Sequence, residues 1–186
     1  SMRMFLDRRD EFTDWKLSQD IVWRKHNGSG PTMPDRFMRV HEHVTHWYRG
    51  EWRSIHHEQQ RIGRSGPSKG SLATSLSVGH RGEYKPRTWT DDGTRAVPSV
   101  IEARSMHQQG AINETQKPIG ILEPLISYGC PHGGLILDPF AGSCSTAVAA
   151  RNIGRRAVCI EQRESQCEKA ARRLAQAPLD FGEASA

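Results

Sequence analysis

Apolar and polar positions alternate in the first third of the chain with the period of extended structure. The β-rich run at 19–25 predicts a strand, and the turn residues of 27–31 end it. A second run at 41–48 predicts another strand. We expect both strands to belong to one sheet.

The pattern changes after Pro118, where a strand–helix order is repeated. Helical spacing predicts a helix over about 118–128. The apolar runs at 135–137 and 157–160 predict strands buried on both faces, followed by helices over 145–153 and 164–177. This order favours a parallel α/β sheet.

Between residues 61 and 95 the chain is rich in Ser, Gly and Arg and shows little periodicity. Polar composition of this kind is typical of a loop that cannot repay the entropy of ordering. The alternative is a DNA-contacting arm in which basic side chains bind phosphates. The candidate phosphate contacts are Arg61, Arg64, Lys69, Arg81, Lys85 and Arg87.

Composition restricts the class of protein. A chain of 186 residues with 35% hydrophobic residues fits one domain with a modest core. The net charge of +5 favours a polyanionic partner such as double-stranded DNA. The four cysteines form no CxxC pair, and no signal-like or membrane-spanning apolar run occurs, so we expect a cytoplasmic protein with free thiols and no membrane partner.

The strongest chemical signal is the small-residue loop at 138–146, between a predicted strand and a predicted helix. Small residues let a ligand approach the backbone, and a helix N-terminus offers N–H groups to an anion. Glu161 ends the next strand, at the spacing where nucleotide-binding α/β folds place a carboxylate that accepts hydrogen bonds from ribose hydroxyls. The combination of this loop with Glu161 is a more specific signal than the loop alone.

In this region the chain resembles the cofactor half of the N6-adenine and N4-cytosine DNA methyltransferases. The segments that carry the resemblance are 135–142, 145–146, Gly154, Glu161 and 170–174. Upstream, the Asn-Glu-Thr-Gln-Lys-Pro segment at 113–118 is similar to the family's His-Pro-Thr-Gln-Lys-Pro element. The resemblance is weaker at 21–25 and 39–43, which are similar to strands between the family's catalytic and target-recognition segments.

The resemblance implies a Rossmann-like methyltransferase sheet that binds S-adenosylmethionine. Lys117 offers a cation for the cofactor carboxylate, and Glu161 would hold the ribose. Cys144 stands where the family favours glycine, and its side chain could narrow the loop. The implied cofactor-binding residues are Thr115, Gln116, Lys117, Asp138, Phe140, Ala141, Gly142, Ser143, Thr146 and Glu161.

The histidines raise a separate hypothesis, a metal site, because alternating residues of a strand share one face. The histidines concerned are His41, His43, His46, His56 and His57. No cysteine or carboxylate set completes a tetrahedral site, so we predict no metal and assign these side chains to packing and phosphate contacts.

The family's catalytic tetrapeptide, Asp/Asn/Ser-Pro-Pro-Tyr/Phe, has no counterpart, because no Pro-Pro occurs in the sequence. The resemblance implies the permuted arrangement, in which the catalytic segment precedes the cofactor motifs. We therefore expect a sheet that is incomplete at its N-terminal side, with the strand at 135–137 lacking one neighbour. A second polypeptide or a second copy could complete it.

Two hypotheses of different class follow. The first is a site-specific DNA methyltransferase, in a restriction-modification or prophage context, whose catalytic residues lie outside this sequence. The second is a catalytically inactive remnant that binds DNA or cofactor. In either case we predict part of the sheet at 1–60, a basic target-recognition arm at 61–112, the cofactor region at 113–178 and a tail at 179–186.

Overall fold

The structure is a computed structural model that describes residues 7–29, 34–35, 37–64, 92–104 and 116–176. The chain divides into two compact units. The larger comprises Ser1–Glu58 with Pro98–Ala186, and the smaller is Gln59–Val97.

The first sheet of the larger unit has strand β1 (Lys16–Ser29) at its centre, paired antiparallel with β2 (Arg39–Tyr48). Strand β5 (Val100–Glu102), which follows the smaller unit in sequence, pairs in parallel with the other edge of β1. Trp23 is 3% exposed, and its indole N–H donates to the carbonyl of Ala103 at 2.9 Å. Burial of this large side chain anchors the sheet.

The strand–helix repeat follows as predicted. Its elements are α1 (Ile119–Gly129), β6 (Leu135–Asp138), α2 (Ser145–Asn152), β7 (Arg156–Cys159) and α3 (Glu164–Ala175). The two strands pair in parallel, residue 135 with 156 through 138 with 159. The chain therefore contains the mixed α/β architecture that the sequence indicates.

Small side chains bring the helices close to this strand pair. Ala149 and Ala150 of α2 are fully buried against Ile126 and Cys130, and Ile136 of β6 packs on the same cluster. A loop with Gly154 ends α2, where φ is +72° and an added Cβ would collide with the ring of His132. Both the conformation and the close packing require glycine there.

The prediction that both short strands are buried on both faces is wrong. Leu135 and Leu137 are 59% and 63% exposed, and Val158 and Ile160 are also exposed. Side chains of a strand alternate between faces, and only the face with Ile136 and Ala157 lies on the helical core. Among the described residues β6 pairs with β7 alone, and the missing neighbour on its other edge stays a prediction.

The smaller unit contains a short antiparallel pair, β3 (Arg61–Gly63) and β4 (Thr94–Ala96). This unit spans 59–97, and the strand at 100–102, which lies within the arm predicted at 61–112, belongs to the first sheet. Residues 65–91 and 105–115 lie outside the described residues.

Candidate functional site

The loop at 138–146, called here the Asp138 loop, joins β6 to α2 and is held by its own hydrogen bonds. The Asp138 carboxylate accepts from the backbone N–H of Phe140 at 3.1 Å and from the Thr146 hydroxyl at 2.6 Å. The N–H of Ala141 donates to the carbonyl of Ile160 at 2.9 Å. Asp138 and Thr146 therefore shape the loop at its two ends.

Two residues of the Asp138 loop have left-handed backbone. Gly142 has φ +52°, and Cys144 has φ +53° and ψ +37°. This conformation costs a residue with a side chain about 1–2 kcal/mol, whereas glycine adopts it freely.

The side chain of Cys144 turns inward, so it does not narrow the loop from the solvent side. It is buried with Ala141 and Ala170, and Cys159 packs against the same cluster. Burial raises the pKa of the Cys144 thiol. Burial and the neighbouring Cys144 raise the pKa of Cys159 to about 12. Neither thiol is a thiolate at neutral pH, so both act as small apolar groups.

Glu161 follows β7 and reaches the Asp138 loop. One carboxylate oxygen accepts from the N–H of Gly142 at 2.9 Å, and the other accepts from the side chain and the backbone of Arg163 at 3.0 and 3.2 Å. These bonds, the Arg163 side chain foremost, lower the pKa of Glu161. An ionised acceptor thus stands beside the glycine of the loop.

A cleft of about 180 Å³ opens above the loop. Its lining residues are Lys117, Asp138, Phe140, Ala141, Gly142, Ser143, Ser145 and Thr146. Phe140 projects into solvent and is 90% exposed, whereas Ala141 and Ser143 are buried. The cleft therefore combines an ammonium group, an aromatic face and small backbone-accessible residues.

Most of the predicted cofactor residues are brought together by the fold. Seven of them line this cleft: Lys117, Asp138, Phe140, Ala141, Gly142, Ser143 and Thr146. Gln116 precedes Lys117 and is partly buried, and Thr115 lies outside the described residues. Glu161 contacts the loop through Gly142 without lining the cleft.

Arg173 of α3 lies in the 170–174 segment that carries the resemblance, but the sequence assigned it no role in the site. Its guanidinium donates to the carbonyl of Ser143 at 2.9 Å and to the Ser145 hydroxyl at 3.1 Å. Burial lowers the pKa of Arg173, although guanidinium remains protonated in proteins. The arginine supports the Asp138 loop from the side of α3, and its spacing on an amphipathic helix carried no signal of that role.

Only two of the predicted DNA-binding residues are described. Arg61 donates to the Thr94 hydroxyl at 2.6 Å and lies 3.3 Å from a carboxylate oxygen of Asp92. Hydrogen bonds from Thr94, with the charge of Arg61, lower the pKa of Asp92 to about 2. Arg64 ends the described part of this segment, and its backbone N–H donates to Gly93. The others, Lys69, Arg81, Lys85 and Arg87, lie outside the described residues.

Four of the histidines considered for a metal site contact other rings: His41, His43, His46 and His57. His46 packs edge-on against Trp52 and Tyr128, and His41 packs against His43. Within the described ranges, no group of three or more His, Cys, Asp or Glu side chains is placed to hold a metal ion. None of the helices described has the length and apolarity of a membrane span.

Curated relatives match parts of the chain. A methylase of Escherichia coli K12, YubD, is 46% identical over 61 residues, which are 33% of this chain and 27% of that protein. The type II methyltransferase M2.DpnII of Streptococcus pneumoniae is 26% identical over 160 residues, which are 86% of this chain and 52% of the relative. The chain thus spans about half, or less, of the length of these relatives.

Solved structures share the fold. The M1.HpyAVI–SAM complex superimposes with a TM-score of 0.60 at 19% identity, covering 93% of this chain and 70% of that one. The cytosine-N4-specific PvuII DNA methyltransferase superimposes with a TM-score of 0.63 at 15% identity, covering 95% of this chain and 58% of that one. The family model described as DNA methylase matches residues 2–172. Because that match includes most of the sequence, the chain belongs to the N6/N4 DNA methylase family.

Proposed function

We propose that this chain is the cofactor-binding part of a DNA methyltransferase that transfers a methyl group from S-adenosylmethionine to an exocyclic base amine, adenine N6 or cytosine N4. The observation that carries the proposal is the cleft above the Asp138 loop, with Lys117 at its wall and Glu161 on Gly142. The type II name of a relative favours a restriction-modification setting.

The chemical groups of the cleft suit S-adenosylmethionine. Lys117 supplies a cation for the amino-acid carboxylate, and the loop around Gly142 lets the nucleoside approach the backbone. Glu161, whose side chain is 12% exposed, is an ionised acceptor for ribose hydroxyls once the exposed side chain of Arg163 moves aside. When bound, the cofactor supplies an electrophilic sulfonium methyl group.

The residues that activate the target amine are proposed to come from a polypeptide segment outside this sequence, because the sequence contains no Pro-Pro. A strand of a parallel sheet normally has its faces covered by helices, and an unpaired edge invites another strand. Among the described residues, β6 has one unpaired edge. That edge and the exposed Leu135 and Leu137 suit a neighbouring strand. The partner is either another segment of the protein or a second polypeptide.

Absence of the tetrapeptide also favours a second candidate function, a module that binds cofactor or DNA without transferring methyl groups. A tritiated-methyl transfer assay separates the two. The chain alone should transfer several orders of magnitude less than the chain supplied with a segment carrying Asp-Pro-Pro-Tyr, because positioning and electrostatics provide much of the acceleration. Robust transfer by the chain alone would contradict the proposal, and no transfer with the added segment would favour the inactive module.

Cofactor binding is tested by calorimetry with S-adenosylhomocysteine, the demethylated product. Glu161→Ala should weaken binding severalfold, because ribose hydroxyls lose a charged acceptor. The matched control is Glu164→Ala, an exposed acid in the first turn of α3 that should leave the affinity unchanged. Equal affinities for both variants would remove Glu161 from the site.

DNA is proposed as the substrate, with the basic segment from Arg61 to Arg87 as the contacting arm. The residues to be replaced are Arg64, Lys69, Arg81 and Lys85. Replacing these four with alanine should flatten the salt dependence of duplex binding, because fewer counterions are released. The control replaces Lys169 and Arg172 on α3, and an unchanged salt slope in the arm variant would make the segment a loop only.

A further inference from the structure

Lys117 reaches the cleft from the segment before α1, and its ammonium is held from the first sheet. Its Nζ donates to a carboxylate oxygen of Glu42 at 3.1 Å, across 75 residues of sequence. Glu42 lies in the middle of β2, opposite Trp23 in the register of β1. A residue of one sheet thus contacts a residue that lines the cleft of the other strand pair.

Glu42 serves two lysines at once. Its other carboxylate oxygen pairs with Nζ of Lys25, on β1. Partial burial would raise the pKa of Glu42, but the hydrogen bonds and charges of Lys25 and Lys117 outweigh it and lower the pKa. Glu42 is therefore ionised at neutral pH, and its two oxygens are committed to different ammonium groups.

Trp23 provides a rigid wall for the same lysines. The ammonium groups of Lys25 and Lys117 lie 5.0 and 5.7 Å from centroids of its rings. The indole itself cannot shift freely, because it is buried and donates to Ala103. Cation–π attraction and the Glu42 carboxylate together restrict Lys117, which would otherwise have several rotatable bonds free.

The charge of this cluster suits an anion. Two ammonium groups share one carboxylate, so the three side chains retain a net positive charge beside the cleft. The Lys117 ammonium has three donors, and its bond to Glu42 leaves donors for another acceptor. Because Lys117 is already restricted in the free protein, it can bind the carboxylate of an amino-acid moiety with little further loss of side-chain entropy.

We infer that Glu42 is a positioning residue that holds the Lys117 ammonium, against Trp23, for the amino-acid carboxylate of the cofactor. The inference rests on the proposed function, since it concerns one end of the same ligand. It assigns the two ends of the ligand to different parts of the chain. The loop after β6 binds the nucleoside, and Glu42 of the first sheet positions the lysine that binds the amino-acid carboxylate.

Two nucleoside thioethers separate the ends of the ligand. S-adenosylhomocysteine carries the amino-acid carboxylate, and 5′-methylthioadenosine lacks it. Glu42→Ala should weaken the binding of S-adenosylhomocysteine by about threefold to tenfold, because the Lys117 side chain must then be ordered on binding. The variant also relieves repulsion between Glu42 and the ligand carboxylate, but in the intact chain the ammonium group of Lys25, the second partner of Glu42, already offsets that repulsion. The affinity for 5′-methylthioadenosine should not change.

Further variants distinguish positioning from a general structural role. Glu42→Gln keeps an oxygen acceptor for Lys117 and should restore most of the affinity lost in Glu42→Ala. In a Lys117→Ala background, Glu42→Ala should have no further effect, because the two residues act through one contact. Glu102→Ala, which removes an exposed acid paired with Arg24 on the same sheet, is the control and should leave both affinities unchanged.

The outcomes that overturn the inference are distinct from failure of the proposed function. Three results would each overturn it. Glu42→Ala binds S-adenosylhomocysteine with unchanged affinity, it loses the same affinity for both thioethers, or it lowers the affinity as much in the Lys117→Ala background as in the unaltered chain. If the unaltered chain binds neither thioether, the cofactor assignment itself fails, and the inference fails with it.

Discussion

The first sheet and the β6–β7 pair differ in how their side chains are used. Trp23 in the centre of β1 is 3% exposed, whereas Leu137 in β6 is 63% exposed. The first sheet is stabilised by burying a large aromatic residue. The strand pair is covered on one face by α1 and by the alanines of α2, and hydrogen bonds hold the loop that forms the cleft. The two regions are therefore stabilised by different kinds of contact.

The largest effect expected from this contrast is on Trp23. Trp23→Ala should lower the free energy of unfolding by about 3–5 kcal/mol, because it opens a cavity in the sheet and leaves the Ala103 carbonyl without its donor. Leu137→Ala, the matched truncation on the exposed face, should cost about 0.5 kcal/mol or less. Urea denaturation measures both, and equal costs would mean that Leu137 is covered in solution.

A smaller effect is expected where the loop is held by hydrogen bonds. Arg173→Met keeps the aliphatic stem but removes the donors to Ser143 and Ser145, which should cost about 1–3 kcal/mol and weaken S-adenosylhomocysteine binding. The neighbouring Arg172 is exposed on α3, so Arg172→Met should change stability by about 0.5 kcal/mol or less. A fully stable Arg173→Met with normal binding would show that the loop holds itself.

The left-handed backbone at Cys144 predicts an unusual order of stability. Cys144→Gly should be more stable than Cys144→Ala by about 1 kcal/mol, because both lose the thiol but only glycine relieves the backbone. Cys130, also buried, has extended backbone with φ −134°, and there the alanine variant should be the more stable. Thermal or urea unfolding of the four variants gives both comparisons, and the same order at both positions would refute the explanation.

The smallest effect concerns pH. Burial, with the nearby His57, lowers the pKa of His46, so the unfolded chain binds the proton more tightly than the folded one. The contribution of His46 is therefore complete above the ordinary histidine pKa of about 6.5 and is lost as the pH falls below it. His46→Gln should reduce this acid-side slope in denaturant titrations from pH 7.5 to 5. An unchanged slope would assign it to other groups.

The candidate site could largely be predicted from the sequence because its parts are local or follow strand ends. Asp138 and Thr146 are eight residues apart on one loop, and Glu161 follows the next strand in the pair. Parallel neighbours bring their carboxyl ends to one edge, so the chain order alone places Glu161 near Gly142. The left-handed turn at Cys144 was recognisable only as a departure from glycine.

Local patterns determined the order of strands and helices, the parallel pair and the residues of the Asp138 loop, because periodicity and turn chemistry act over a few residues. Tertiary structure alone decided the rest. Glu42 meets Lys117 across 75 residues, and Arg173 meets Ser143 across 30, through packing that no short-range pattern encodes. The run Leu135-Ile136-Leu137 is apolar on both faces, so only the packed layers decide that Ile136 faces the core while its neighbours remain exposed.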